Sequence, residues 1–199
     1  MNKNKLIILA GPSGVGKGTV ENILFADEKL KNILKLSCSA TTRKARQNET
    51  DGIHYYFISE EDFLKKIENN EFIEWNKHFN NYYGTLYSEI KKINKEGYLP
   101  LLEIETVGAL NIMKYYNDKN KKNAVISIFL APPSLDELKT RIKNRGTENQ
   151  DEIDIRIRKA EEEIAEMDKF IHKIVNDTPE KAAQKIKEII LKEIEEKDE

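Results

Sequence analysis

Five apolar residues, Leu6 to Ala10, run directly into Gly11-Pro12-Ser13-Gly14-Val15-Gly16-Lys17, and no other feature constrains the fold of this chain as strongly. The short apolar run suits a strand buried on both faces, and Gly11-Pro12 ends it in a sharp turn. A helix is predicted to follow, from about Gly16 to Ala26. The spacing G-x-x-x-x-G-K between a strand and a helix is that of a phosphate-cradling loop. Its glycines let successive N–H groups point inward, and the helix N-terminus adds partial positive charge. Lys17 would bring a full charge to the outer phosphates of a nucleotide. One position departs from the usual pattern: Gly18 stands where a Ser or Thr hydroxyl commonly binds Mg²⁺, and Thr19 follows it.

Beyond the loop, further apolar runs at Ile33 to Cys38, Tyr98 to Ile104 and Val125 to Leu130 predict strands buried on both faces. Lys173 to Val175 is expected as a short edge strand. Helix starts are signalled between them by Ser59 before Glu60, by Ser134 with Glu137 three residues on, and by Thr178-Pro179. Alternating strands and helices predict an α/β fold whose parallel sheet binds ligands beyond the carboxyl ends of its strands. Two segments break the alternation. Residues 37–95 hold ten of the sixteen aromatic residues, which predicts a small inserted subdomain. Residues 141–158 combine clustered arginines with a polar, glycine-containing loop and are expected to form a lid.

Charge and composition narrow the chemistry. The 33 basic and 35 acidic side chains leave a formal net charge of −2, so no general attraction to nucleic acid or to an anionic membrane is expected. One cysteine, Cys38, excludes an internal disulfide framework, and His54, His78 and His172 lack zinc-ligand spacing. The single cysteine predicts a reducing, cytoplasmic compartment, and the apolar run after the basic N-terminus is too short to span a membrane. Only six of the basic residues are arginine, and they fall into two groups: Arg43 and Arg46, then Arg141, Arg145, Arg156 and Arg158. That clustering points to bidentate anion recognition, which lysine cannot reproduce.

Four stretches together, GPSGVGKGT, SATTRKARQNETDGIHYYF, NNEFIEWNKHFNNYYGT and APPSLDELKTRIKNRGTE, resemble guanylate kinase in the order the family has them. The resemblance extends from Leu6 to about Asp177. It implies a three-layer P-loop fold with a parallel sheet core, an inserted GMP-binding subdomain and a lid. The core would comprise 1–36, 96–140 and 159–199, with the GMP-binding subdomain at 37–95 and the lid at 141–158. ATP and GMP, with dGMP as a further acceptor, are the implied substrates in purine nucleotide metabolism. Mg²⁺ is the implied cofactor, held by nucleotide phosphates and water with no direct protein ligand. No nucleic-acid or membrane partner is implied, and the chain would be a monomer or a small homo-oligomer.

The resemblance also distributes roles among residues. ATP binding falls to Gly11, Pro12, Ser13, Gly14, Val15, Gly16, Lys17, Gly18 and Thr19. The GMP phosphate falls to Ser39, Arg43, Arg46, Tyr55 and Tyr83, and the guanine base to Glu74, Thr85 and Glu105. Glu103, near the phosphates, would orient Mg²⁺-bound water. Lys17, Arg43, Arg141, Arg145 and Arg156 would act on the phosphoryl group in transit. Guanine chemistry supports Glu74 independently, because a carboxylate accepts from N1–H and N2–H together, whereas the adenine N1 lone pair repels it. Glu105 replaces the family's more usual aspartate, and Val107 its usual glutamine. Two rivals are a non-catalytic guanylate-kinase-like binding module and a P-loop kinase for another phosphorylated acceptor. The intact loop argues against the first, and Glu74 with Tyr83 and Thr85 against the second.

Overall fold

The computed structural model describes residues 5–78, 80–143 and 150–195. Its strands are β1 (Leu6–Ala10), β2 (Leu34–Leu36), β3 (Ala40–Thr41), β4 (Tyr56–Phe57), β5 (Phe72–His78), β6 (Asn81–Leu86), β7 (Leu99–Glu103), β8 (Val125–Ala131) and β9 (His172–Val175). The helices are α1 (Lys17–Ala26), α2 (Glu60–Glu68), α3 (Tyr87–Lys95), α4 (Thr106–Asp118), α5 (Leu135–Lys143), α6 (Gln150–Ala165) and α7 (Pro179–Glu195). Five strands form one parallel sheet in the order β2-β7-β1-β8-β9.

The continuous apolar runs become central strands because both faces are covered. Ile7, Leu9, Leu101, Ile126 and Ile128 pack on one side with Val20 and Leu24 of α1 and Ile186 and Ile190 of α7. On the other side Leu6, Ile8, Leu102 and Phe129 meet Ile90 of α3 and Ala109 and Ile112 of α4. Alternation with period two thus survives inside an all-apolar run and yields three layers. The expectation of two buried faces fails for β2. That strand pairs only with β7, and Leu36 is 37% exposed because an edge strand has a neighbour on one side alone. At the opposite edge lies β9, as its length and position predicted.

Predicted caps close as side-chain hydrogen bonds. The Asp62 N–H donates to Ser59 Oγ at 3.0 Å, the Glu137 N–H to Ser134 Oγ at 3.1 Å, and the Lys181 N–H to Thr178 Oγ1 at 3.4 Å. Each satisfies an amide that the first helical turn would otherwise leave without a partner.

Residues 40–86 carry a second sheet, β4-β3-β6-β5, with antiparallel β5–β6 and β3–β6 pairs and a parallel β3–β4 pair. The β5–β6 turn uses Asn80 at φ 62°, a left-handed conformation that asparagine tolerates. Phe63 of α2 stacks on Phe72 at 4.3 Å and on Tyr82 at 5.3 Å between ring centroids, giving this sheet an aromatic core of its own. No helix boundary falls at 141 or at 158. Arg141 belongs to the last turn of α5, and α6 continues without interruption past Arg158. Arg145, a predicted site residue, lies outside the described residues. Among the described residues, no helix is long and apolar enough to cross a membrane.

Candidate active site

The phosphate loop connects β1 to α1 at the carboxyl edge of the main sheet. Gly11, Gly14 and Gly16 sit at φ 148°, 86° and 100°, a region that residues with a Cβ rarely enter. A Cβ on Gly11 would also lie 2.3 Å from the Leu130 carbonyl oxygen, so the loop turns directly against β8. The loop is tied from outside at one carbonyl: Asn176 Nδ2 donates to Val15 O at 2.7 Å, and Arg141 Nη1 donates to the same oxygen at 3.3 Å. Lys17 reaches back across the loop, its ammonium donating to Gly11 O at 2.6 Å. Thr19 and Gly18 are exposed on the first turn of α1.

A cleft of about 350 Å³ opens in front of the loop. Gly11, Ser13 and Lys17 face Arg46, Tyr55 and Tyr83 of the second-sheet region across it, with Glu103, Glu105 and Arg156 on its remaining walls. Phosphate-loop and second-sheet residues that are far apart in sequence therefore share one opening. Ser39, Arg43, Arg141, Glu74 and Thr85 stand outside that lining. The Arg43 guanidinium makes a paired contact with both carboxylate oxygens of Glu49, each at 2.8 Å, and lies over the Tyr55 and Phe57 rings at 5.5 and 5.7 Å. This hydrogen bonding from Arg43, with the Arg46 amide, holds the Glu49 carboxyl down at about 2. Arg141 is also paired with Glu137 on its own helix.

Glu74 is 7% exposed, and its Oε1 accepts from the fully buried Thr85 hydroxyl at 2.9 Å. A Cβ on Gly108 of α4 would stand 2.6 Å from Glu74 Oε2, so the helix seals the far side of the carboxyl. Burial pushes the Glu74 carboxyl up to about 7, opposed by the Thr85 hydrogen bonds and assisted by the charge of Glu105. The folded chain therefore holds a proton here between pH about 4.5 and 7 that the unfolded chain has released, so stability falls as pH rises through that window. The expected loss is on the order of 3 kcal/mol. Denaturation of the parent and of Glu74→Gln at pH 5 and pH 7.5 checks this: the variant should gain on the parent as pH rises, and parallel profiles would refute it.

Asn76, Lys159, Glu163, Glu21 and Glu49 escaped the sequence reading, while Glu105, named there, has partners it did not predict. Glu105 accepts from Lys159 of α6 at 3.0 Å and from Asn76 Nδ2 at 3.5 Å, which ties α6 to β5. Glu163 is 7% exposed and faces Lys17 and Lys159; burial raises its carboxyl above the usual range. Glu21 on α1 meets Glu103 at the end of β7, and burial with the neighbouring carboxyl pushes it up to about 8. Glu49 alone left a signal, as the acid three residues after Arg46 and six after Arg43. Lys159, Glu163 and Glu21 sit among other charged residues of the sequence and carry no distinguishing signal in it.

Comparison with known proteins agrees with this geometry. The family model described as guanylate kinase matches residues 3–193. The chain is 55% identical over 192 residues to a guanylate kinase of Mycoplasmopsis pulmonis, covering 96% of both chains. It is 44% identical over 188 residues to one of Bacillus cereus, covering 94% of this chain and 88% of the relative. The crystal structure of guanylate kinase from Anaplasma phagocytophilum superposes with a TM-score of 0.73 at 33% identity, over 95% of this chain and 85% of that one. With a phosphate loop at the sheet edge, an aromatic second sheet facing it and full-length similarity of this degree, the chain belongs to the guanylate kinase family.

Proposed function

We infer that the chain transfers the γ-phosphoryl group of ATP to GMP, giving ADP and GDP. The observation that carries this reading is the cleft lined together by Gly11, Ser13 and Lys17 of the loop and by Arg46, Tyr55 and Tyr83. In-line transfer between two phosphates requires donor and acceptor to share one opening, and this common lining supports that reading. The GMP phosphate is already an anionic nucleophile, so no general base is needed. Catalysis rests on alignment and charge neutralisation by the loop amides, Lys17, Arg141 and Arg156, with Arg145 completing the set. dGMP serves as a second acceptor, and the protein works in the cytoplasm.

In this reading residues 37–95 hold GMP, 141–158 close over the phosphates, and the remaining segments form the ATP-binding core. Glu74 and Thr85 receive guanine with Glu105, while Ser39, Arg43, Arg46, Tyr55 and Tyr83 hold its phosphate. Mg²⁺ supplies charge neutralisation at the transferring phosphates. It is a hard cation that takes oxygen ligands and keeps several waters, and the residues present fit it: the Glu103 carboxyl lines the cleft that Lys17 also lines. An ADP-release assay with ATP and Mg²⁺ against GMP, dGMP, AMP, CMP and UMP tests the assignment. Release with GMP and dGMP alone is the expected result; preference for another acceptor would overturn it.

Arg43→Lys is expected to raise KM for GMP by roughly tenfold or more, since a point charge cannot reproduce a paired guanidinium contact and a hydrogen bond to a charged group contributes about 1.5 to 3 kcal/mol. KM for ATP should stay within about twofold by the same argument. Steady-state kinetics with each substrate varied in turn provide the check. Equal effects on both substrates would remove Arg43 from the acceptor site.

A further inference from the structure

Arg156, Lys159 and Glu163 follow one another at one-turn intervals along α6, and all three line the cleft. Residues three and four positions apart share a helix face, so the face that turns Arg156 to the cleft also turns Lys159 to it. Arg156 and Lys159 are half-buried there and Glu163 is buried, whereas Asp154, Arg158 and Glu162 are exposed. Apolar packing holds α6 to the core through Ile153, Ile157, Ala160 and Ile164, and Lys139 of α5 pairs with Glu161 at 3.0 Å. Burial of apolar surface is non-directional. It seats the helix without setting how its cleft face meets the opposite wall.

A directional contact does so. Lys159 Nζ donates to Glu105 Oε1 at 3.0 Å, and with the two side chains 28% and 37% exposed the pair is only partly screened by solvent. Glu105 is the N-cap residue of α4, yet its side chain makes no capping hydrogen bond. It is one methylene longer than aspartate, a favoured N-cap, and the added reach takes the carboxylate past the helix end to Lys159. Its other oxygen is held loosely, by Asn76 Nδ2 of β5 at 3.5 Å. Asn76 stands two residues after Glu74 and therefore on the same face of that strand. One carboxylate thus grips α6 with one oxygen and turns the other toward the face of β5 that carries Glu74.

We propose that Lys159 is a positioning residue that couples guanine at Glu105 to Arg156. With the base on the loosely held oxygen and Lys159 on the other, the seated acceptor fixes the cleft face of α6, and Arg156 with it. The proposal rests on the phosphotransfer reading and deepens it, joining base recognition to the transfer machinery through one ion pair. Such coupling is reciprocal. A donor nucleotide that gathers Arg156 also steadies Glu105 through Lys159 and tightens the hold on GMP.

The test reads binding without turnover. GMP is titrated calorimetrically into the full chain, once alone and once with a saturating non-hydrolysable ATP analogue and Mg²⁺, and the ratio of the two affinities measures the coupling. The parent should bind GMP about fivefold or more tightly with the analogue present, the lower end of the usual range for coupled sites. Lys159→Met keeps the apolar stem and removes the charge, while Glu105→Asp keeps the charge and shortens the reach. Each should bring the ratio below about twofold, and the double variant should lose no more than either alone, because both break one contact. Thermal melts confirm that each variant is folded. A ratio that stays at the parent value in Lys159→Met overturns the proposal, as does a parent ratio near one. An equal loss of GMP affinity with and without the analogue also overturns it, because Lys159 would then hold the acceptor and transmit nothing. A parent that binds no GMP in either titration overturns the phosphotransfer reading and this inference with it, so the two failures are told apart.

Discussion

Lys17→Ala is expected to lower kcat by about a hundredfold to a thousandfold, the range for removing one preorganised donor from a site where charge develops. The loop explains why so little else should change. Lys17 donates to the Gly11 carbonyl at 2.6 Å and, more weakly, to Pro12 O at 3.4 Å. The loop is held chiefly by glycine geometry, by the close approach of Gly11 to Leu130 and by Asn176 on Val15 O, none of which needs the ammonium. The variant should therefore melt within a few degrees of the parent while transfer nearly stops. Calorimetry and an ADP-release assay on the same preparation make the check. A natively folded variant turning over at more than about a tenth of the parent rate would exclude Lys17 from transition-state stabilisation.

Glu74→Gln is expected to lower kcat/KM for GMP by roughly tenfold to a hundredfold, matching the about 1 to 3 kcal/mol lost when a buried donor faces no acceptor. One Glu74 oxygen already accepts from Thr85, and Gly108 packs so near the other that the side chain has little room to swing. An amide in that pocket turns an N–H toward one of the two guanine donors. ATP affinity should barely move, and AMP should be rejected less strongly than by the parent. The raised carboxyl adds a second signature. Below pH about 7 the free enzyme carries a protonated Glu74, which cannot accept from both guanine donors, so parent kcat/KM for GMP should fall as pH drops from 8 to 6. That limb should be missing in Glu74→Gln. If GMP is used equally well by both, Glu105 becomes the base reader to test.

Legibility of the fold followed the range of the forces involved. The loop, the central strands and three helix starts rest on local signals: apolar run length, glycine spacing and a capping hydroxyl a few residues from its amide. β2 was read as fully buried because composition reports hydrophobicity and not the number of neighbours, and its edge place follows from strand order alone. In the site, arginines, tyrosines and Glu74 stood out through clustering and aromatic context. Arg43 appeared as an anion clamp, but its paired contact with Glu49 depends on how the turn between β3 and β4 closes.

By itself the sequence determined the phosphate loop, the alternating α/β layers and the placement of an aromatic segment between two parallel strands. Those features depend on residue types within one or two turns of each other. Tertiary structure alone decided which polar and charged groups meet: Glu21 with Glu103, Lys159 with Glu105, Asn176 with the loop carbonyl of Val15. Each of these pairs joins residues at least 54 positions apart. A charged residue on a helix reads the same whether it faces water or a neighbour, and only the packing of α1, α6 and β9 around the carboxyl edge of the sheet sets it against its partner.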